Sequence, residues 1–337
     1  MTRRKFIALA ARLGALGTLA ASKVWAAIAP GGEMQYRTLG RTGAKVSIIG
    51  LGGYHIGEPP DPNYGIRIIR SAIDNGVTFM DNSWDYHLGE SERRMGIALR
   101  DGYRQKVFLM TKIDGRKAAT VEWQFDECLK RLQTDYVDLL QIHEVIRDTD
   151  PDMVFGKGGA IEALLRLKKA GKTRFIGFTG HKTPSMLLKM IRLADQYGVT
   201  FDTVQMPLNV MDAHYDSFQR EVLPVALEKN MGVIGMKAFG DNFILQSNTV
   251  TPIEALHYTM NLPISTLVTG IDWMSFLDQA LEAAHTFRPM SKEQVAVILA
   301  KTQEAALEGK YEYYKTRDTF DGTSRNLGWC DYPHPHG

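Results

Sequence analysis

The sequence predicts a (β/α)8 barrel of the α/β class, and three observations point to it. Short apolar runs bounded by turn residues alternate with longer amphipathic stretches, the pattern of repeated βα units around a parallel sheet. The alternation recurs eight times, which favours closure into a barrel over an open doubly wound sheet. The first βα turn, Gly50-Leu51-Gly52-Gly53-Tyr54-His55, lacks the GxGxxG spacing with a short helix start that the open dinucleotide-binding sheet needs.

The segment 1–29 stands outside this pattern. Arg3-Arg4 precede a mildly apolar stretch, and Val24-Trp25-Ala26-Ala27 supplies small residues suited to a signal peptidase, so the segment reads as a twin-arginine export signal. The expectation is a protein exported to the periplasm already folded, with the twin-arginine (Tat) machinery as its partner. The uncharged stretch is shorter than the roughly 20 apolar residues that span a bilayer, so no stable membrane span is expected. The alternative is an amphipathic amino-terminal helix packed on the barrel.

The barrel is assigned to 34–290 and a carboxy-terminal helical extension to 291–337. At its start Gly40-Arg41-Thr42-Gly43 is a turn-rich tetrad between two short extended runs, which reads as a β-hairpin. The first βα unit pairs the strand 48–52 with a helix over 63–75, which Gly76 closes. Strands at 78–82 and 107–111 precede helices at 90–100 and 118–132. The fourth strand, 137–142, is followed by a helix over 160–170 that Gly171 closes. Strand 174–179 leads to a helix over 184–197, opened by Thr183-Pro184 as cap and first-turn proline and closed by Gly198. Strands 203–206, 233–236 and 266–269 complete the set, with helices over 215–230, 252–260 and 275–286. Beyond Ser291 a helical run to about residue 308 gives way to Tyr311, Tyr313, Tyr314 and Arg317 and then a Gly/Asn/Pro-rich tail.

Composition narrows the function. The 337 residues are 44% hydrophobic, enough for one sizeable core, and 40 Lys and Arg against 38 Asp and Glu leave a formal charge of +2. That balance carries no electrostatic footprint for nucleic acid and favours a small-molecule substrate. Cys128 and Cys330 lack the CxxC spacing of thiolate metal sites, so neither zinc nor an iron–sulfur cluster is expected, and no residue is assigned as a metal ligand.

In such a barrel the functional side chains gather at the carboxyl ends of the strands. Asp81, Lys112 and His143 end the second, third and fourth strands, and Tyr86 follows on the second loop. Carbonyl reduction needs a proton donor, because hydride arriving at carbon leaves an alkoxide. A tyrosine serves if a neighbouring ammonium lowers its pKa of about 10, while an aspartate holds that ammonium charged. A histidine shares the proton or fixes the substrate oxygen. Singly, each residue has a duller reading: a structural ion pair, a satisfied histidine, an aromatic loop contact. Four in order at the correct strand ends reverse that judgement.

The run Asp81-Asn82-Ser83-Trp84-Asp85-Tyr86, with Gly89-Glu90-Ser91-Glu92-Arg93-Arg94-Met95-Gly96 after it, resembles the signature of aldo-keto reductases. The resemblance covers roughly residues 36–287 and implies that Asp81, Tyr86, Lys112 and His143 form the family's catalytic tetrad. It implies reversible hydride transfer between a carbonyl or alcohol and NADP(H), and the departure at Asp272 described below adds NAD(H) as a second expected cofactor. Gln205 and Thr179 fall where the family grips the nicotinamide carboxamide, though Thr179 replaces a serine and Gly180 an asparagine, which leaves His181 as a substitute or a plain loop histidine. Met236 stands where an aromatic residue usually stacks on the nicotinamide, a contact a thioether also makes favourably. Lys237, Gly53, Gly270, Asp272 and Gln279 are the remaining cofactor positions, Lys237 toward the pyrophosphate and the last three at the adenosine end, where a helix amino terminus suits an anion. Asp272 and Phe276 occupy places where NADPH-preferring members put a cation beside the 2′-phosphate, although Arg288 or Lys237 remains open for that role. Tyr54, His55, Trp84 and Asn209, with parts of the tail, are the expected substrate walls. The rival readings are a metal-dependent barrel hydrolase and a non-catalytic cofactor-binding barrel.

Overall fold

The computed structural model describes residues 32–333. The segment 1–29, read above as an export signal, lies outside the described residues. Among those described, no helix is long and apolar enough to cross a membrane.

Two antiparallel strands, β1 (Tyr36–Thr38) and β2 (Lys45–Ser47), form the hairpin. Eight parallel strands then close into a barrel: β3 (Ile49–Gly52), β4 (Phe79–Met80), β5 (Phe108–Ile113), β6 (Val137–Ile142), β7 (Thr173–Thr179), β8 (Thr203–Pro207), β9 (Gly232–Met236) and β10 (Thr266–Gly270). Each hydrogen-bonds to the next in chain order, and β10 returns to β3. The crossover helices are α1 (Pro62–Asp74), α2 (Glu90–Ala98), α3 (Ala118–Leu132), α4 (Ala160–Lys169), α5 (Pro184–Gln196), α6 (Phe218–Glu228), α7 (Pro252–Asn261) and α8 (Met274–Thr286).

Capping chemistry explains several helix starts. The Asp61 side chain accepts from the Asn63 nitrogen ahead of α1, and Thr251 with Glu254 forms a reciprocal capping box at α7. Thr183 departs from its expected role: it sits at the cap position of α5, but its hydroxyl pairs with Ser185 instead of the backbone. Gly171 and Gly198 end α4 and α5 at φ of 72° and 65°, the left-handed turn that side chains resist.

The period-two alternation of strands sorts the residues into two cores. Inward positions at the amino-terminal end of the barrel (Phe79, Phe108, Met110, Leu139, Ile234 and Val268) form one cluster with Leu39 and Val46 of the hairpin. Phe79, Phe108 and Phe175 stack in series, with ring centres 5.5 and 6.1 Å apart. The hairpin therefore closes the floor of the barrel. Outward residues such as Leu109, Leu140, Ile142 and Ile176 pack under the helices in a second, larger cluster. Continuing the same parity upward, Lys112 follows Met110 and Gln141 follows Leu139 toward the open end.

The chain beyond 290 differs most from its sequence reading. The helical run ends at α9 (Lys292–Thr302), whose start is a Ser291–Gln294 capping box. From there the tail belongs to the same compact unit as the barrel, and it runs as short turns over the barrel mouth. It touches the loops in reverse chain order. Lys315 Nζ lies 2.7 Å from Asp212 Oδ1 after β8, Asp321 meets His181 after β7, and the Thr323 nitrogen donates to Glu144 after β6. Asp331 accepts from the Arg116 and Lys117 nitrogens after β5, each at 2.8 Å.

Candidate active site

β4 ends early, at Met80, yet the Asp81 nitrogen still donates to the Leu51 carbonyl at 3.0 Å, so Asp81 remains in register on the inward face. Lys112 lies within β5 and points to the same interior. Its Nζ donates to Asp81 Oδ1 at 2.5 Å, to the Asn82 carbonyl at 2.9 Å and to the Tyr86 hydroxyl at 3.1 Å. Gln205 Nε2 donates to the other Asp81 oxygen at 2.7 Å, which satisfies the buried carboxylate on both sides.

Tyr86 is held by a strained loop. His87 and Leu88 both adopt left-handed conformations, with φ of 50° and 54°, and Gly89 follows at 86°. His87 Nε2 lies 2.9 Å from the Tyr54 carbonyl, and the Tyr54 ring meets the Tyr86 ring edge-on at 5.5 Å. Behind the loop, Glu92 is fully buried between Thr111 and Arg131, which pins α2 to the barrel.

His143 follows β6, and its ring stands edge-on to Tyr86 with centres 5.7 Å apart. The four expected residues thus converge on one point of the mouth. The electrostatics differ from the expectation that Lys112 lowers the tyrosine pKa. Burial, together with Asp81, Asp85, Glu144 and Asp114, pushes Tyr86 well above its ordinary value. Burial is the largest of these causes, and the Lys112 ammonium, at 2.5 Å from Asp81 and 3.1 Å from the phenol, does not offset it.

A family model described as the aldo/keto reductase family matches residues 48–301. The chain belongs to this family. It is 33% identical over 218 residues to the aldo-keto reductase YhdN of Bacillus subtilis, a match covering 59% of this chain and 60% of that protein. It is 32% identical over 216 residues to the L-galactose dehydrogenase of Arabidopsis thaliana, covering 60% of this chain and 64% of the relative. The chain therefore spans less than two thirds of the length of these relatives. An aldo-keto reductase from Bacillus halodurans, solved in its holo form, superposes with a TM-score of 0.67 at 21% identity, over 80% of this chain and 96% of its own. That likeness bears on the fold.

Within this aldo-keto reductase fold the other expected positions divide into two groups. Thr179 ends β7 and pairs in register with Gln205 in the middle of β8, and Thr179 Oγ1 and Gln205 Oε1 are buried with no hydrogen-bond partner among the described residues. Met236 ends β9 partly exposed; Gly270, Asp272 and Gln279 lie partly exposed at and after the end of β10. Tyr54 is 47% exposed beside Tyr86, and His55 packs on Gly270, where a Cβ would meet its ring.

The second group has structural partners that its sequence reading lacked. His181 is buried, and its Nε2 lies 2.7 Å from Asp321, which ties it to the tail. Burial lowers its pKa to about 4. Asn209 is fully buried and saturated, donating to Tyr314 at 2.8 Å and to the Lys237 carbonyl and accepting from the Met211 and Asp212 nitrogens; it braces the tail and forms no open wall. Trp84 is buried among Trp123, Trp329 and Arg131. Gly53 serves close packing: a Cβ there would lie 2.3 Å from the Asp81 carbonyl oxygen. Lys237 adopts φ 59°, its ammonium stands 5.3 Å from the centre of the Tyr314 ring, and burial lowers its pKa.

Four residues were missed in the sequence. Asp85 and Asp114 flank His143, Ser83 joins them, and Glu144 lies next in the chain with burial raising its pKa to about 7. A signal for two of them existed. Asp114 follows Lys112 by two residues, and so falls on the same side of the chain, and Asp85 adjoins Tyr86.

Proposed function

We propose that this chain is an NAD(P)H-dependent oxidoreductase that reduces a carbonyl substrate, with Tyr86 as the proton donor. The observation that carries the reading is the single contact chain Gln205–Asp81–Lys112–Tyr86, with the phenol at its open end. The unpartnered Thr179 Oγ1 and Gln205 Oε1 are acceptors of the kind a carboxamide NH₂ satisfies, so a nicotinamide fits against β7 and β8. When bound, the reduced cofactor supplies the hydride for the carbonyl carbon. The Tyr86 hydroxyl gives its proton to the carbonyl oxygen as the C–H bond forms, and the phenolate regains a proton from solvent. Lys112 stabilises the transient phenolate, while Asp81 keeps the ammonium charged and oriented. A phenol held protonated at neutral pH suits the reductive direction. Tyr54 and Tyr86 make the exposed side of the cup aromatic, which suits aliphatic and aromatic carbonyls.

The test is incubation of the purified protein with NADPH or NADH and a panel of aldehydes, ketones and aldoses, following nicotinamide absorbance. Turnover is expected; its absence across the panel, with cofactor still bound, would instead support a non-catalytic cofactor-binding barrel. Asp272 stands at the rim after β10, where its charge repels a 2′-phosphate and its oxygens suit a free ribose hydroxyl. Both cofactors are therefore expected to bind. Asp272→Lys is expected to shift the affinity ratio toward NADPH by about tenfold. An unchanged ratio in fluorescence titrations would place Asp272 away from the ribose.

The arginine pair and small-residue site at 1–29 also carry our proposal of twin-arginine export. Arg3→Lys with Arg4→Lys is expected to retain folded, active protein in the cytoplasm. Fractionation that found the double variant still in the periplasm would refute it.

A further inference from the structure

The reaction proposed above gives no role to the polar groups that surround His143, yet they form one arrangement. His143 Nδ1 lies 3.0 Å from Asp114 Oδ1, 3.3 Å from Asp85 Oδ1 and 3.2 Å from Ser83 Oγ. Ser83 Oγ in turn donates to Asp85 Oδ1 at 2.5 Å, which orients that carboxylate toward the ring. The two carboxylates reach the same nitrogen from different loops, one after β4 and one after β5.

Both are removed from water. The Asp114 side chain is fully buried, its other oxygen has no hydrogen-bond partner, and its backbone nitrogen is fixed by Gln124 at 2.9 Å. Asp85 is nearly buried, with tail residue Gly322 packed on it. Two buried carboxylates on one imidazole nitrogen cost several kcal/mol unless positive charge or a proton is shared with them, and burial beside Asp85 raises the Asp114 carboxyl accordingly. The other groups facing this point do not supply the positive charge. Lys112 is spent on Asp81, Arg116 directs its Nε to Asp150 and its Nη1 to the Asp114 carbonyl, and Glu144 adds a further carboxyl. Tyr86 faces the ring from the mouth. The remaining ring nitrogen, Nε2, has no hydrogen-bond partner among the described residues.

Resting on the carbonyl-reduction reading, we propose that Asp85 and Asp114 are positioning residues that act through His143, fixing the orientation of its ring beside the Tyr86 phenol and holding it as an imidazolium. Tyr86 alone gives up its proton, and His143 keeps both of its own. The electrostatics agree: burial by itself would lower the His143 pKa, but the charges and hydrogen bonds of Asp85 and Asp114 outweigh it and raise the value to about 10.

The experiment follows the His143 ring nitrogens by ¹⁵N NMR in the full chain from about pH 5 to about pH 9, together with pH profiles of kcat/KM for an aldehyde. The wild-type ring is expected to stay protonated throughout, with a flat profile from about pH 6 to about pH 8. In Asp85→Asn with Asp114→Asn the ring is expected to titrate near its ordinary value of about 6.5, and kcat/KM to fall about tenfold per pH unit above it. Asp85→Asn alone, at the less buried position, is expected to shift the titration in the same direction, and Asp114→Glu to restore part of it. A wild-type ring that titrates near its ordinary value, or a double variant with an unchanged profile, would overturn the proposal. Because the NMR reading needs no turnover, a protonated ring in an enzyme that reduces no carbonyl would overturn the reduction reading instead.

Discussion

Tyr86→Phe is expected to lower carbonyl turnover by about 10² to 10⁴-fold while leaving nicotinamide affinity unchanged. The ring that meets Tyr54 and His143 is retained, so the packing of the mouth survives. Only the hydroxyl is lost, and with it the 3.1 Å contact to Lys112. The ammonium keeps Asp81 and the Asn82 carbonyl, so no buried charge is stranded and stability changes little. Single-turnover rates with a chosen aldehyde, set beside cofactor titrations by fluorescence, separate the two quantities. A variant that reduces the aldehyde at the wild-type rate would assign the proton to another group, with His143 the first to test.

Lys315→Met is expected to be the most destabilising single substitution in the tail. The ammonium lies 2.7 Å from Asp212 and 3.1 Å from Glu312, and all three side chains are buried. Its removal strands two carboxylates, a loss of roughly 3–5 kcal/mol. For a chain of this length that corresponds to a fall in Tm of about 4–7 °C. The deficit should depend on pH with a defined sign. Burial raises Glu312 to about 7 even with the lysine present, so its folded pKa lies above the unfolded value. Such a carboxyl binds its proton more tightly in the folded state, and stability falls as pH rises from about 4.5 through 7. Without Lys315 both carboxyls are pushed higher still, so the loss is expected to be smaller near pH 5 than near pH 8. Thermal denaturation at the two pH values measures it, and an equal loss at both would show that the lysine acts through packing and not through its charge.

The positions of Asp81, Lys112 and His143 were legible because strand ends are legible. Each short apolar run has two well-marked limits, and in a parallel barrel the carboxyl limit is the mouth. The same parity that buries Phe108 and Met110 in the floor cluster lifts Lys112 toward the mouth. Helix limits held where a cap or a left-handed glycine marks them, as at Gly198. They failed at 215–230, where the first residues form a loop held by Asp212, whose carboxylate accepts from the Phe218 and Gln219 nitrogens. Trp84 and Asn209 were read as walls because their residue types suit a substrate cup. Their burial depends on tail residues that carry no local mark of where they dock.

Hydrophobic period and strand-end chemistry, both local properties, determined by themselves that this chain forms a barrel and that Asp81, Lys112 and His143 stand at its mouth. The tail's path was decided only by the tertiary structure. Asp321 meets His181 across 140 residues and Asp331 meets the Arg116 nitrogen across 215. A hydrogen bond between such distant residues leaves no periodicity in the sequence, since it depends on where two loops end and on burial that strengthens polar contacts there. The charge state around the tetrad has the same origin. The pKa values of Tyr86 and His143 are set by Asp85, Asp114 and Glu144, whose effect depends on being packed together away from water, and that exclusion comes from the assembled mouth.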